Sequence, residues 1–147
     1  MDIRFRKIDL KKDWPLLKSW NEDHIRINFP EFRGNDPYLK SIKAWLRVEP
    51  EGQMMILADG KEAGCLNLIT EKPDAENIRG SLVRLHVDER FRGKGIGTRA
   101  VEKTVEYFDK KGVKRLKLWV TKSNDSAVKL YENNGFHVTR YQMEREL

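Results

Sequence analysis

Three glycines within five residues, at a junction between a strand and a helix, constrain this chain more than any other feature. The segment is Arg90-Phe91-Arg92-Gly93-Lys94-Gly95-Ile96-Gly97-Thr98-Arg99. Ahead of it Leu82, Val83, Leu85 and Val87 mark a strand; behind it a helix runs from about Gly97 to Lys111 and is ended by Gly112. Glycine lets the backbone approach a ligand closely and take positive φ, while the first N–H groups of a helix point outward with partial positive charge. Such a junction is a cradle for a pyrophosphate or, more plainly, a tight turn on a basic surface. Arg92 and Lys94 add mobile cations and Thr98 a hydroxyl. Spacing narrows the choice. A dinucleotide fingerprint needs G-x-G-x-x-G and an acid about 20 residues later, whereas here the pattern is G-x-G-x-G and the next strand ends Leu118-Trp119-Val120-Thr121. A Walker loop needs Lys followed by Ser or Thr, and Lys94 is followed by Gly95.

The remaining signals assemble one domain around that junction. Ile3, Phe5 and Ile8 alternate as an opening strand, and Asp13 is placed to cap a helix carrying Trp14 and Pro15 in its first turn. A second helix is predicted from Asp36, with Pro37 at its first position, ending before Pro50. Met54 to Ala58, Asp59-Gly60 and Ala63 to Ile69 form a hairpin. Leu116, Leu118 and Val120 give a further strand, Ser123 to Asn134 a short helix closed by Gly135, and Phe136 to Met143 a last strand. The order β-α-α-β-β-β-α-β-α-β over residues 1–147 predicts a single mixed α/β domain.

Composition bounds the function. Hydrophobic residues at 39% supply a core and exclude global disorder, while 29 Lys and Arg against 23 acids leave a net charge of +6 that favours polyanionic ligands. The lone Cys65 has no disulfide partner, the N-terminus lacks the order of a secretory signal, and no apolar run approaches the roughly 18 residues of a membrane span. The expected location is cytoplasmic, without membrane or metal chemistry. Cys65, inside an apolar strand, reads as a buried small hydrophobe. The basic run Lys110, Lys111, Lys114, Arg115 and Lys117 alternates with Leu116 and Leu118, which suits the wet face of a strand better than a nucleic-acid patch.

Arg92, Gly95 and Gly97 match R-x-x-G-x-G after a strand ending Leu85-His86-Val87, and downstream Asn124-Asp125-Ser126-Ala127-Val128-Lys129-Leu130-Tyr131-Glu132-Asn133-Asn134-Gly135-Phe136 follows N-x-x-A-x-x-L-Y-x-x-x-G-F. With these two motifs in order, the C-terminal two fifths resembles the GNAT superfamily of acetyl-CoA-dependent N-acetyltransferases. The resemblance implies a mostly antiparallel twisted sheet flanked by helices, with a slot for acetyl-CoA where the fourth and fifth strands splay. It implies that Leu85, His86 and Val87 pair with the pantetheine amides, and that Arg92 and the N–H groups of Gly93, Lys94, Gly95, Ile96, Gly97 and Thr98 hold the pyrophosphate. Asn124 would contact the pantetheine arm, and Tyr131 would stand near the thioester sulfur as proton donor.

The chemistry requires an amine that loses a proton, an N–H donor for the developing oxyanion and a proton for the departing thiolate. With tyrosine at about 10 and a simple thiol near cysteine's 8.5, Tyr131 keeps its proton at neutral pH, its transfer to the thiolate is slightly uphill, and a positioned water is the alternative donor. The general base is less legible. Trp119 stands where family members that acetylate protein N-termini carry a glutamate, and Ser81 aligns where histone-type members place one. His86, the cluster Glu22, Asp23 and His24, or a chain of waters are the substitutes. Two other functions fit the same residues: a non-enzymatic acyl-CoA sensor, and a basic nucleic-acid-binding domain. The amine acceptor is open, and a homodimer is within the family's range.

Overall fold

The period-2 runs and turn residues build a five-stranded sheet in sequence order. The structure, a computed structural model, describes all 147 residues. The strands are β1 (Ile3–Lys7), β2 (Gln53–Ala58), β3 (Lys61–Glu71), β4 (Arg79–Val87) and β5 (Arg115–Leu118). The first four pair antiparallel and β4 pairs β5 in parallel. Asp59 and Gly60, both at positive φ, make the tight β2–β3 turn. Helices α1 (Leu10–Asn28) and α2 (Tyr38–Val48) cover one face; α3 (Ile96–Lys110) and α4 (Asp125–Asn133) cover the other. Because side chains alternate across a strand, Met55 and Cys65 pack with Leu17, Trp20 and Ile42, while Met54, Ile56 and Leu66 pack with Ile96, Val101 and Phe108. Burial on both faces makes β2 and β3 the centre of the core. No helix is long and apolar enough to cross a membrane.

One irregularity shapes the functional end. Across β3 and β4, Leu68 faces Leu82 while Asn67 faces Arg84, so Val83 is an extra residue that bulges β4. On its other side β4 pairs with β5 only from Arg79 to Leu82, opposite Arg115 to Leu118. Beyond that point the two strands separate. β4 then runs through a single turn at Glu89–Phe91 into the glycine junction and α3.

Three expectations need correction. The N-cap of α1 is Asp9, which accepts from the Lys12 amide; Asp13 is buried inside the helix, accepting from the Asp9 amide at 2.9 Å and from both terminal nitrogens of Arg6 at 2.8 Å. An acidic residue beside a helix start satisfies the capping pattern in sequence, but only the fold brings Arg6 of β1 against it. The second helix begins at Tyr38, with the Asp36 carboxylate accepting from the Tyr38 amide. The strand over Phe136–Met143 does not form: residues 136–147 hold no regular structure, and Val138, Tyr141 and Met143 are exposed. Phe136 is retained by its amide bond to the Tyr131 carbonyl and by its ring against Tyr131. Past it, alternation alone does not make a strand: β5 pairs only with β4, and the residues beyond Phe136 have no backbone partner that would hold them in a ladder. Lys117 pairs with Glu71 and Lys111 with Glu51, as suits solvated cations at a sheet edge.

The Arg6–Asp13 pair tests the packing of α1 on β1. Asp13→Ala should lower the unfolding free energy by about 2–4 kcal/mol, since it strands Arg6 and the Asp9 amide; chemical denaturation of both proteins measures it.

Candidate functional site

The separation of β4 from β5 opens a cavity of about 520 Å³. One wall is Leu82 to Val87 of β4; the opposite wall is Trp119 and Val120, which continue β5 without pairing. The glycine junction, the start of α4 and the end of α1 close the remaining sides.

At the junction the backbone does what its glycines allow. Gly93 and Gly95 lie at φ +75° and +81°, with open space where a Cβ would stand. Gly95 is the N-cap of α3 and has no side chain to cap it. The first intrahelical bond is from the Arg99 amide to the Gly95 carbonyl, and the amides of residues 94–98 have no acceptor within the protein. Residues 95–98 line the cavity, so their free N–H groups, with the helix dipole behind them, make a cradle whose chemistry suits an anion. Gly97 serves differently: a Cβ there would stand 2.9 Å from Leu130 Cδ2, so its absence lets α3 approach α4. Arg92 donates through Nε to the Val87 carbonyl at 2.9 Å and through Nη2 to Asp23 at 3.1 Å, which fixes it at the mouth of the cradle.

All but one of the other expected residues line the same cavity. Leu85, His86, Val87, Thr98, Asn124 and Tyr131 line the cavity with Arg92, Gly93, Gly95, Ile96 and Gly97; Lys94 does not, and sits exposed with its Nζ 5.9 Å from the Phe91 ring centre. Asn124 caps α4 through the Ala127 amide and donates to Asn28 Oδ1 at 3.1 Å, joining α4 to the end of α1. Tyr131 is 8% exposed, and burial pushes its phenol up to about 12. His86 is buried beside Trp20, with Nε2 unbonded and 3.7 Å from Asp23 Oδ2. Burial, then the Arg92 charge, lowers its pKa to about 4. His24 also lines the cavity, and burial followed by Arg84 brings it to about 4. Both rings are neutral at neutral pH.

The position aligned with the histone-type glutamate, and the two carboxylates among the substitutes for it, lie outside the cavity. Ser81 sits on the paired half of β4, opposite Ile69 and Lys117, outside the cavity. Glu22 opens onto a separate cavity of about 420 Å³ between α1 and the loop before α2, and Asp23 is engaged by Arg26 and Arg92. The sequence reading also missed contributors: Ile27, Asn28, Phe91 and, above all, Arg84 line the site. A cation inside the apolar run Leu82-Val83-Arg84-Leu85 was the available signal for the last. Cys65 is buried, its thiol pushed up to about 11, as suits a packing residue.

Residues 16–136 match the acetyltransferase (GNAT) family. The chain belongs to that family. It is 31% identical over 135 residues to an uncharacterized N-acetyltransferase of Methanocaldococcus jannaschii, covering 82% of this chain and 58% of that one. It is 32% identical over 125 residues to a mycothiol acetyltransferase of Salinispora tropica, covering 84% of this chain and 36% of that one. The chain thus spans less than two thirds of the length of either relative. Among solved structures, that of the NatC complex bound to Gag peptide and CoA aligns with a TM-score of 0.75 and 20% identity over 95% of this chain and 87% of that one, a likeness of fold.

The neutral histidines carry a pH consequence. Their folded pKa values, about 4, lie below the unfolded value near 6.5, so the unfolded chain binds more protons between these limits. Stability should be full above about pH 6.5 and fall as pH drops toward about 4. Urea midpoints at pH 7 and pH 5 measure the fall, which the double substitution His24→Gln, His86→Gln should flatten.

Proposed function

We propose that the chain is an acetyl-CoA-dependent N-acetyltransferase that transfers acetyl to a primary amine by direct attack in a ternary complex. The observation that carries this reading is that residues 95–98, whose amides are free, and the Tyr131 side chain line one cavity between diverging strands. Family membership and the shared fold of a CoA-bound acetyltransferase complex support it. The site residues fit such a molecule: a diphosphate suits the cradle, where side chains at Gly93 and Gly95 would fill the open space, and an extended amide arm suits the unpaired edge of β4.

When bound, acetyl-CoA supplies an electrophilic thioester carbonyl and a thiolate leaving group. The amides of residues 95–98 would hold the diphosphate, with Arg92 beside them. The β4 main chain past Leu82, released from β5, offers donors to the arm and to the oxyanion that develops on attack. Asn124 keeps the α4 start and the α1 end together, so the arm passes between them. Tyr131, held protonated by burial, would give its phenolic proton to the departing thiolate. The amine's proton leaves to water or to the neutral imidazole of His86. No carboxylate lines the cavity, Asp23 at its edge is paired with Arg92, and Arg84 adds a charge without an ion-pair partner, so an incoming amine is favoured in its neutral, nucleophilic form.

The lack of a carboxylate base is also the observation that favours an acyl-CoA sensor, and a thiol-release assay over a panel of amines discriminates the two. Acetyl-CoA binding without turnover of any amine would mark the sensor. Gly95→Asp puts a side chain and a negative charge into the cradle and should weaken acetyl-CoA binding by at least about tenfold, measured by calorimetry. Tyr131→Phe should lower kcat by about 10²-fold or more while the acetyl-CoA Kd holds; an unchanged kcat across pH removes the proton-donor role.

A further inference from the structure

Arg84 is a charged residue that the protein leaves incompletely used. It lies on β4 two residues before His86, roughly 7 Å along the strand, and lines the cavity. Its Nη1 donates to Asn21 Oδ1, and its guanidinium lies over the Tyr38 ring, 4.3 Å from the centre. Asn21 in turn donates to Asp36, which holds the Tyr38 amide. The head is thereby oriented by α1, α2 and the loop between them. Yet it forms no ion pair: Nε is shut away without an acceptor, and Nη2 has none in the protein either. A half-buried guanidinium with spare donors is an anion receptor, since it is already desolvated and already aimed. The rest of the lining agrees: its two histidines are neutral, its other arginine, Arg92, is paired with Asp23 just outside it, and it holds no Asp or Glu. A polycationic acceptor would enter that cavity against like charge, with no carboxylate to receive its second ammonium.

We propose that Arg84 selects the acceptor, and that the acceptor is a small primary amine bearing a carboxylate a few bonds from the reacting nitrogen. The carboxylate pairs with Nη2 of Arg84, and the amine then lies along β4 toward Leu85 and His86, where the acetyl group is expected. This rests on the acetyltransferase reading and adds the substrate class to it. Arg84 acts on binding: its contact is with a part of the acceptor that does not react.

The experiment measures thiol release from acetyl-CoA with glycine, β-alanine, aspartate and glutamate, with glycinamide and β-alaninamide, and with putrescine and spermidine. The amides are the stringent control, because their amines are less basic and present more free base. For the native chain the acids should exceed their amides in kcat/KM by about tenfold or more, the worth of a charge-assisted hydrogen bond in a partly buried site. Arg84→Gln should bring that ratio to near one, chiefly through KM, while acetyl-CoA affinity, measured by calorimetry, reports that the fold and cradle are intact. Arg84→Lys, which keeps a cation, should retain part of the preference. Diamines used as well as the acids, or a preference that survives Arg84→Gln, overturns the assignment of Arg84 and leaves the acetyltransferase reading standing. Turnover of no amine, or no binding of acetyl-CoA, overturns both.

Discussion

Two parallel strands that hydrogen-bond for four residues and then part create an unmet demand for backbone partners, and the functional end of this molecule is organised around it. Main-chain N–H and C=O groups withdrawn from a sheet need water or a ligand in its place. β4 continues past Leu82 without β5, at the C-terminal ends of the two strands, which is where open α/β sheets present ligands. The bulge at Val83 helps to produce the divergence, since an extra residue bends the strand that carries it. The same strand then delivers the chain to the glycine junction, so a second set of free amides lies next to the first. An extended arm ending in a diphosphate is the ligand shape that answers both.

The opposite end of the sheet is built to stay closed. Buried Glu49 accepts from the Thr70 amide at 2.8 Å, from the Thr70 hydroxyl at 2.9 Å and from the Tyr107 hydroxyl, tying β3 to α3. Gln53 adds bonds to the Glu49 and Leu68 carbonyls and receives Asn67. A buried polar cluster of this kind, in which Asn67 Oδ1 alone lacks a partner, fixes register, because no shifted pairing repeats its bonds. The strands can therefore splay at one end without losing alignment at the other. On the splayed side, the close approach of Gly97 to Leu130 holds α4 against α3 and sets the direction from which Tyr131 enters the cavity.

Much of this was legible from local sequence chemistry. Glycine spacing, the Asp59-Gly60 turn, Gly112 and Gly135 at helix ends, and the period-2 runs act over a few residues and need no knowledge of the fold. What sequence could not give is decided by partners far away in the chain. Asp13 resembles a cap until Arg6 of the neighbouring strand takes its carboxylate. Phe136 to Met143 has strand periodicity, but no edge receives it. Ser81 was aligned by counting along β4, and the pairing of that half of the strand with β5 puts it outside the cavity. Arg84 was passed over because its role depends on Asn21 and Tyr38, both from the opposite layer.

The missing glutamate base loses much of its force once the electrostatics of the cavity are considered. A carboxylate near the acceptor helps when the amine arrives as an ammonium ion, because it both attracts the cation and removes the proton. It also stabilises the charged, unreactive form. In the proposed site, where Arg84 has no ion-pair partner, Arg92 is paired with Asp23 and both imidazoles are neutral, the balance would reverse: a protonated amine would be disfavoured by desolvation and by Arg84, and a neutral one is already nucleophilic. After attack the nitrogen becomes far more acidic than a free ammonium ion, so a weak base suffices for the proton that remains. An imidazole lowered to about 4 by burial is such a base, and it stays neutral throughout the physiological range. Trp119 in place of a glutamate is then consistent with a site that sorts amines by their neighbouring charge and leaves deprotonation to the surroundings.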